Sequence, residues 1–382
     1  MIAEAPFTDL LQAIVDNRGR TAPTAEHGIP LIATNCIKDA SLYPVLEKVR
    51  YIDQETYGSW FRGHPEPGDI LFVCKGSPGR VALVPDPVGF CVAQDMVAVR
   101  ADPDRVYPPY LFAVLRSTLV RSRIDSMHVG TLIPHFKKGD FGKLMIPLVD
   151  EQQQRRIGDL YRDFSLKVES NRRAIDLAEA LGDALFTAAA SESEALSDIA
   201  ALTMGSSPPG SSYNADGVGM PFYQGVRDFD RRYPRLRVWT DAPVRIAQPN
   251  DTLISVRAPV GELNRAAVVC CIGRGVAAVS SRSPSTIYYA LRAGRDLWEP
   301  FQREGTVFGA INRSDLAAVK LPWPTSVRLE QLEEQLAAID SRIQSLTFET
   351  ERLTQLRDTL LPALLSGRIR VPEATETVEA AA

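Results

Sequence analysis

Between residues 329 and 360, apolar side chains return at alternating intervals of three and four: Leu329, Leu332, Leu336, Ile339, Ile343, Leu346, Leu353, Leu356 and Leu360, with one gap at Thr350. That spacing draws one narrow stripe along an α-helix, the seam of a coiled coil. Glu330, Glu333, Glu334, Gln335 and Arg342 fill the other faces, so the helix expects one partner and water elsewhere. Pro324 bars an earlier start, and Pro362 followed by Gly367 is expected to end the helix. A second, less regular stripe runs from about Asp150 to Phe186 through Ile157, Leu160, Phe164, Val168, Asn171, Ile175, Leu177, Leu181 and Leu185. Asn171 falls in that seam, where a buried amide fixes register if it meets the other helix; a solvated helix end would explain it equally well. Two such stripes solve each other's exposure by packing together. At 1.5 Å per residue each helix spans roughly 50 Å, and an antiparallel pair would put the flanking globular parts at opposite ends of a stiff rod.

Outside the helices the pattern changes to short strand-like runs, Ile70 to Cys74, Cys91 to Val99, Leu253 to Val256 and Ala266 to Ile272, with Pro/Gly turns between them and a helix expected from Pro109 to Ile124. These runs recur. Gly28-Ile29-Pro30-Leu31 answers Gly219-Met220-Pro221-Phe222, and the run opening Pro67-Gly68-Asp69 answers Pro249-Asn250-Asp251. Lys75-Gly76-Ser77-Pro78-Gly79 answers Arg257-Ala258-Pro259-Val260-Gly261. Gly130-Thr131 through Pro147 corresponds to Gly305-Thr306 through Pro322 at a constant offset, after which each copy enters a long helix. A period near half the chain is a duplicated domain, since solenoid units are far shorter. The expected fold is therefore mixed α/β and pseudo-twofold: two tandem globular domains, 1–149 and 191–325, separated by two long antiparallel coiled-coil helices, 150–190 and 326–370, with a disordered tail at 371–382.

Composition is that of an ordinary globular chain, 45% apolar and 24% charged in 382 residues. The opening MIAEAPFTDL has no basic segment of a signal peptide, and no apolar run approaches a membrane span, so a soluble cytoplasmic protein is expected. Five cysteines without CxxC spacing point to neither zinc nor disulfides. The net charge of −4 would argue against a nucleic-acid partner, but the stretch from Met220 to Arg295 holds twelve Arg, no Lys and five acids. A solvated face would account for arginines as such; arginine without lysine favours bidentate contact to guanine or phosphate.

Taken in order, the segments Gly205-Ser206-Ser207-Pro208, Gly219-Met220-Pro221-Phe222, the G-D-I and N-D-T turns, Ile146-Pro147-Leu148 before Glu151-Gln152-Gln153, and the closing string from Leu353 to Arg370, LTQLRDTLLPALLSGRIR, resemble the specificity subunit of type I restriction-modification systems over nearly the whole length. The first domain departs from that pattern, with only Asn17-Arg18-Gly19-Arg20-Thr21-Ala22-Pro23 where a G-x-x-P opening belongs. The resemblance implies two target-recognition domains, each reading half of an asymmetric bipartite site in double-stranded DNA. It also implies conserved helices that dock two adenine methyltransferase subunits, with restriction/translocase subunits joining later.

Catalytic chemistry is not indicated. An adenine methyltransferase needs an N-P-P-Y/F loop and a glycine bend for its methyl donor; Tyr107-Pro108-Pro109-Tyr110 has Tyr where the amide belongs and reads as a turn with a helix-opening proline. Asp69 and Lys75 lack the second acid of a magnesium nuclease, since residue 73 is Val, and His27, His64, His128 and His135 form no metal pair. No catalytic residue, metal or cofactor is assigned. The candidate DNA contacts are polar residues on loops that recur: Lys75, Ser77 and Arg80 with His135, Lys137 and Lys138 in the first copy, and Gln224, Arg227, Arg257 and Arg265 with Asn312 and Arg313 in the second. Two rivals stay open at this stage, the recognition portion of a fused restriction-methylation enzyme and a coiled-coil adaptor without DNA.

Overall fold

The computed structural model describes residues 3–17, 20–127, 134–304 and 307–369. Compact packing divides the chain into two units, Met1–Arg173 with Thr347–Ala382, and Ala174–Leu346. The expected tail, Arg18 and Gly19, His128, and the repeat markers Gly130-Thr131 and Gly305-Thr306 lie outside the described residues.

Along the first unit run β1 (Ala3–Pro6), β2 (Leu11–Asp16), β3 (Ile29–Ile32), β4 (Arg50–Ile52), α1 (Gln54–Ser59), β5 (Ile70–Val73), β6 (Val81–Leu83), β7 (Cys91–Val92), β8 (Met96–Ala101), α2 (Pro108–Arg116), α3 (Thr118–Met127) and β9 (Met145–Leu148). The long helix α4 (Glu151–Ala189) follows. Then come β10 (Ala190–Ala195), α5 (Leu196–Ile199), β11 (Ala201–Met204), β12 (Tyr213–Asn214), β13 (Met220–Tyr223), β14 (Trp239–Thr240), β15 (Ile246–Ala247), β16 (Thr252–Ser255), β17 (Leu263–Arg265), β18 (Cys270–Ile272), β19 (Val276–Ser280), α6 (Pro284–Ala293), β20 (Arg303–Glu304), β21 (Val307–Phe308), α7 (Arg313–Ala318), β22 (Lys320–Pro324) and the second long helix, α8 (Ser326–Leu365).

Sheet topology repeats as the sequence does. The order β2-β8-β5-β6 in the first copy is matched by β11-β19-β16-β17 in the second, β4-β3-β7 by the core of β12-β14-β13-β18-β15, and β1-β9 by β10-β22. Even the mixed pairing recurs, with β3 parallel to β7 and β13 parallel to β18. The central strand β5 is buried on both faces, and its alternation feeds two cores. Ile70 and Phe72 join Phe7, Tyr110 and Phe112, whereas Leu71 and Val73 join Ile32 and Val92.

One turn launches that strand in both copies. Gly68 and Asn250 take the same left-handed conformation, φ +86 and +73, which glycine adopts freely and asparagine tolerates. The next residue is a buried aspartate whose carboxylate accepts a backbone N–H three residues upstream, Glu66 to Asp69 and Gln248 to Asp251, each at 2.8 Å. Some expected runs are subdivided. The apolar stretch from Cys91 to Val99 is two strands, and the helix expected from Pro109 to Ile124 breaks at Ser117, whose ψ of 148 leaves the helical range.

The long helices pack on each other within each unit. In the first, Arg357 lies 5.3 Å from the Tyr161 ring, and Lys167 and Asn171 both reach Glu349, so partner numbers fall as α4 advances and the pairing is antiparallel. Asn171, 2% exposed, donates to Glu349 Oε2 at 2.9 Å, which makes it a seam residue rather than a solvated end. In the second unit Ile175 clusters with Ile343 and Leu346.

Two expectations fail here. Leu177 and Leu181 face outward, 65% and 53% exposed, while Glu179, Gly182 and Phe186 turn inward. The reason is close approach: a Cβ at Gly182 would stand 2.4 Å from the Tyr289 ring, so only glycine lets α6 lie against α4 there. Pro362 does not end α8, which continues to Leu365. The stop is Gly367, φ +70, whose N–H donates to Leu364 O (3.1 Å) while Arg368 N–H donates to Ala363 O (3.0 Å), a Schellman cap. No described helix is long and apolar enough to cross a membrane.

Candidate nucleic-acid interface

Backbone hydrogen bonds bring the recurring loops together in each copy. Past β5, Cys74 O accepts from Phe136 N–H and Gly76 N–H donates to Pro134 O, both at 2.9 Å, so Lys75 stands opposite His135 in an antiparallel bridge. Past β16, Val256 O accepts from Ile311 N–H (3.0 Å) and Ala258 N–H donates to Gly309 O (2.9 Å), so Arg257 stands opposite Ala310. Strings far apart in sequence, Lys75 with His135 and Arg257 with Ala310, thus form one edge in each copy.

Their side chains are differently engaged. In the first copy Lys75 lies 4.0 Å from Asp95, Lys138 pairs with Asp16, and Arg80 lies 3.5 Å from Asp39. Ser77 is half-buried. Lys137 is exposed; the Lys143 hydrogen bond, joined by the charge of Lys137, helps hold the Asp140 carboxyl below the usual carboxylate range. In the second copy Gln224, Arg227 and Arg257 are exposed and line one cleft of about 320 Å³ with Arg237, Asp228 and Gly275. Asp228 is buried, accepts from Gln224 N–H at 2.7 Å and lies 3.8 Å from Arg237, which holds the cleft wall in place. Gly275 is needed for closeness, since a Cβ there would come within 2.5 Å of Gln224 O. Three guanidiniums and one amide around a single cleft suit bidentate contact with phosphate oxygens or the edge of guanine or adenine.

Sequence reasoning did not single out Arg237. The pairing of β13 with β14 continues past both strands, with Phe222 N–H donating to Val238 O at 2.9 Å; this sets residue 237 opposite residue 223, next to Gln224.

Arg265 is corrected. It is 2% exposed and its guanidinium pairs with Asp340 of α8, which makes it an interior residue and removes it from the DNA-facing set. Asn312 is exposed, but its side chain caps α7, accepting from Asp315 N–H at 2.9 Å and donating to Asp315 Oδ2 at 2.7 Å; Arg313 follows it, exposed, in the first turn. More broadly, four of the twelve arginines between Met220 and Arg295 meet helix acids: Arg231 with Asp176 and Glu179, Arg232 and Arg265 with Asp340, and Arg292 with Asp183 at 2.9 Å. The arginine excess serves helix docking as well as the cleft.

All five cysteines are buried as free thiols, and burial pushes Cys74, Cys91 and Cys270 up to about 12. Thiolate is the reactive form. These three are expected to resist a thiol reagent at neutral pH until the chain is unfolded; stoichiometric labelling of the native protein would contradict that burial.

Residues 32–179 match the family described as type I restriction modification DNA specificity domain. The chain is 27% identical to the "Putative type I restriction enzyme MjaX specificity subunit" of Methanocaldococcus jannaschii, covering 95% of this chain and 92% of that one. It is 23% identical to the type I restriction enzyme MjaVIII specificity subunit of the same organism, over 69% of this chain and 70% of that one. Among solved structures, the type I restriction-modification system S subunit from M. genitalium superposes with a TM-score of 0.64 at 17% identity, over 95% and 96% of the two chains, a likeness of fold.

Proposed function

We infer that this chain, which belongs to the type I restriction-modification specificity subunits, reads a two-part target in double-stranded DNA, one part with each copy, and performs no catalysis itself. The observation that carries the reading is the pair of equivalent loop edges, Lys75 against His135 and Arg257 against Ala310, bearing different side chains on the same backbone frame. A shared frame with divergent contacts is what two different half-sites require. Residues 1–149 and 191–325 act as the recognition domains, and 150–190 and 326–370 as helices that dock two adenine methyltransferase subunits. Restriction/translocase subunits join that complex, which works in the cytoplasm.

The target is found by mapping methylated adenines in cells that express the chain with its methyltransferase partner; a two-part motif with an unread gap is expected, and a single contiguous motif would overturn the reading. With that target in hand, Arg257→Ala is expected to weaken cognate binding by about 1–3 kcal/mol while sparing random DNA. Lys137→Ala should instead weaken all sequences alike and lower the slope of log affinity against log salt by about 1. Equal loss of cognate and random binding in Arg257→Ala would reduce that residue to a phosphate contact.

A further inference from the structure

In the first unit, Arg116, Arg121 and Arg357 line a cleft of about 220 Å³ together with Asp39, Tyr161 and Asp358. The side chain of Arg357 is 4% exposed and Arg116 is 9% exposed. Each guanidinium carries five N–H donors and a charge that is costly to bury unpaired. Among the described residues Arg116 donates only to Ser41 O, at 3.2 Å, and Arg357 only to Asp358, at 2.8 Å. Arg121 Nε is buried and has no hydrogen-bond partner among the described residues, although the tip of the side chain pairs with Asp39. Asp39 is itself shared with Arg80. The cleft therefore holds more buried cationic donors than carboxylates to meet them.

The second copy shows how the same position is satisfied internally. Arg292 stands as far past the opening proline of α6, Pro284, as Arg116 stands past Pro108 in α2. There α4 supplies two acids: Arg292 bonds Asp183 at 2.9 Å and lies 3.8 Å from Glu179. At the 175-residue repeat offset, α8 offers the first copy Thr354 in place of Glu179, Arg357 in place of Gly182, and Asp358, already bonded to Arg357, in place of Asp183. One acid is missing and one base is added.

We propose that this cleft binds a phosphate-class oxyanion, held by Arg116, Arg121 and Arg357. Planar guanidiniums meet such oxygens in pairs, and α3 begins at the cleft wall, where Ser117 and Thr118 line it. Whether the phosphoryl group is free or part of a DNA backbone, the recognising chemistry is the same.

The test uses the full chain. Inorganic phosphate is titrated at constant ionic strength, balanced with chloride, while the thermal midpoint and calorimetric heat are followed. A saturable rise is expected with phosphate and none with chloride. Arg121→Gln, at a partly exposed position, should bind phosphate about tenfold more weakly, the loss of one charge-assisted contact. Thr354→Glu restores the missing acid, so it should raise the midpoint without phosphate and abolish the phosphate effect; the two changes lie on different helices, so a folding failure in one leaves the other to decide. A short duplex that competes with phosphate assigns the anion to DNA, and one that does not assigns a free anion. A midpoint that follows ionic strength alone, or an Arg121→Gln variant that binds phosphate as the parent does, overturns the site.

Discussion

Replacing Asp340 with alanine should destabilise the second unit by about 3–5 kcal/mol, because it strands two buried arginines. Arg232 and Arg265, 1% and 2% exposed, both pair with this carboxylate, and Tyr289 donates its hydroxyl to it at 3.3 Å. Arg232 also stacks 3.8 Å over the Tyr288 ring, so it cannot swing out to water without emptying the core around it. Forming such a cluster brings little net stability, since desolvation offsets most of the attraction. Removing one member is different: both charges remain, with only Glu179 among the described carboxylates, 3.9 Å from Arg232, left to face them. Trp239, Trp298 and Trp323 all lie in the second unit and only Trp60 in the first, so tryptophan emission during denaturant unfolding reports mainly on the unit in question. Asp340→Asn should fall nearly as far, being of the same shape without the charge. A loss under about 1 kcal/mol for both would show that the arginines find other partners. Binding should change too, because Arg232 sits on the segment between Arg227 and Arg237 that walls the second-copy cleft.

Ending the chain after Arg357 is expected to unfold the first unit, although every residue removed lies at the far end of the sequence. Leu360, Leu361, Leu364 and Leu365 are 4–7% exposed and belong to the same core as Phe7, Tyr110, Phe112 and Tyr161. Burial of a leucine is worth about 1.5–3 kcal/mol, so four approach the whole stability of an ordinary domain. The milder Leu361→Ala and Leu364→Ala should each cost about 2–5 kcal/mol. Hydrogen exchange separates local from global effects: amides of β5 and β8, far from α8 in sequence, should lose protection in the truncated chain. If they keep it while only the first turns of α4 fray, the first unit has a core sufficient without the helix.

The closing string LLPALLSGRI gains a physical meaning from this. Its leucines plug the first core, and its Ser-Gly closes the helix with a left-handed residue. The proline is tolerated within the last turn of α8.

The seam of α8 was legible because 3,4 spacing depends on helix geometry alone, and the inward residues Leu332, Leu336, Ile343 and Leu346 follow it. The duplicated turn at Pro67 and Pro249 was legible for a similar reason, since few residues tolerate a left-handed backbone. Leu177 and Leu181 were misread because α4 leaves its coiled-coil seam near Ala178 to meet α6. There a charged residue and a glycine, Glu179 and Gly182, suit the neighbour better than leucine does. Arg265 was misread because an arginine in a strand looks the same whether it faces DNA or a carboxylate 75 residues later.

What the sequence determined by itself is everything local or repeated: two copies of one mixed α/β unit, two long amphipathic helices, the turns that start the central strands, and the loops that carry the candidate contacts. What only the tertiary structure decided is partnership. Which arginines are paired inside and which are left facing a cleft depends on acids distant in the chain, because a charge is satisfied by whatever lies within a few ångströms of it, and sequence separation does not measure that distance.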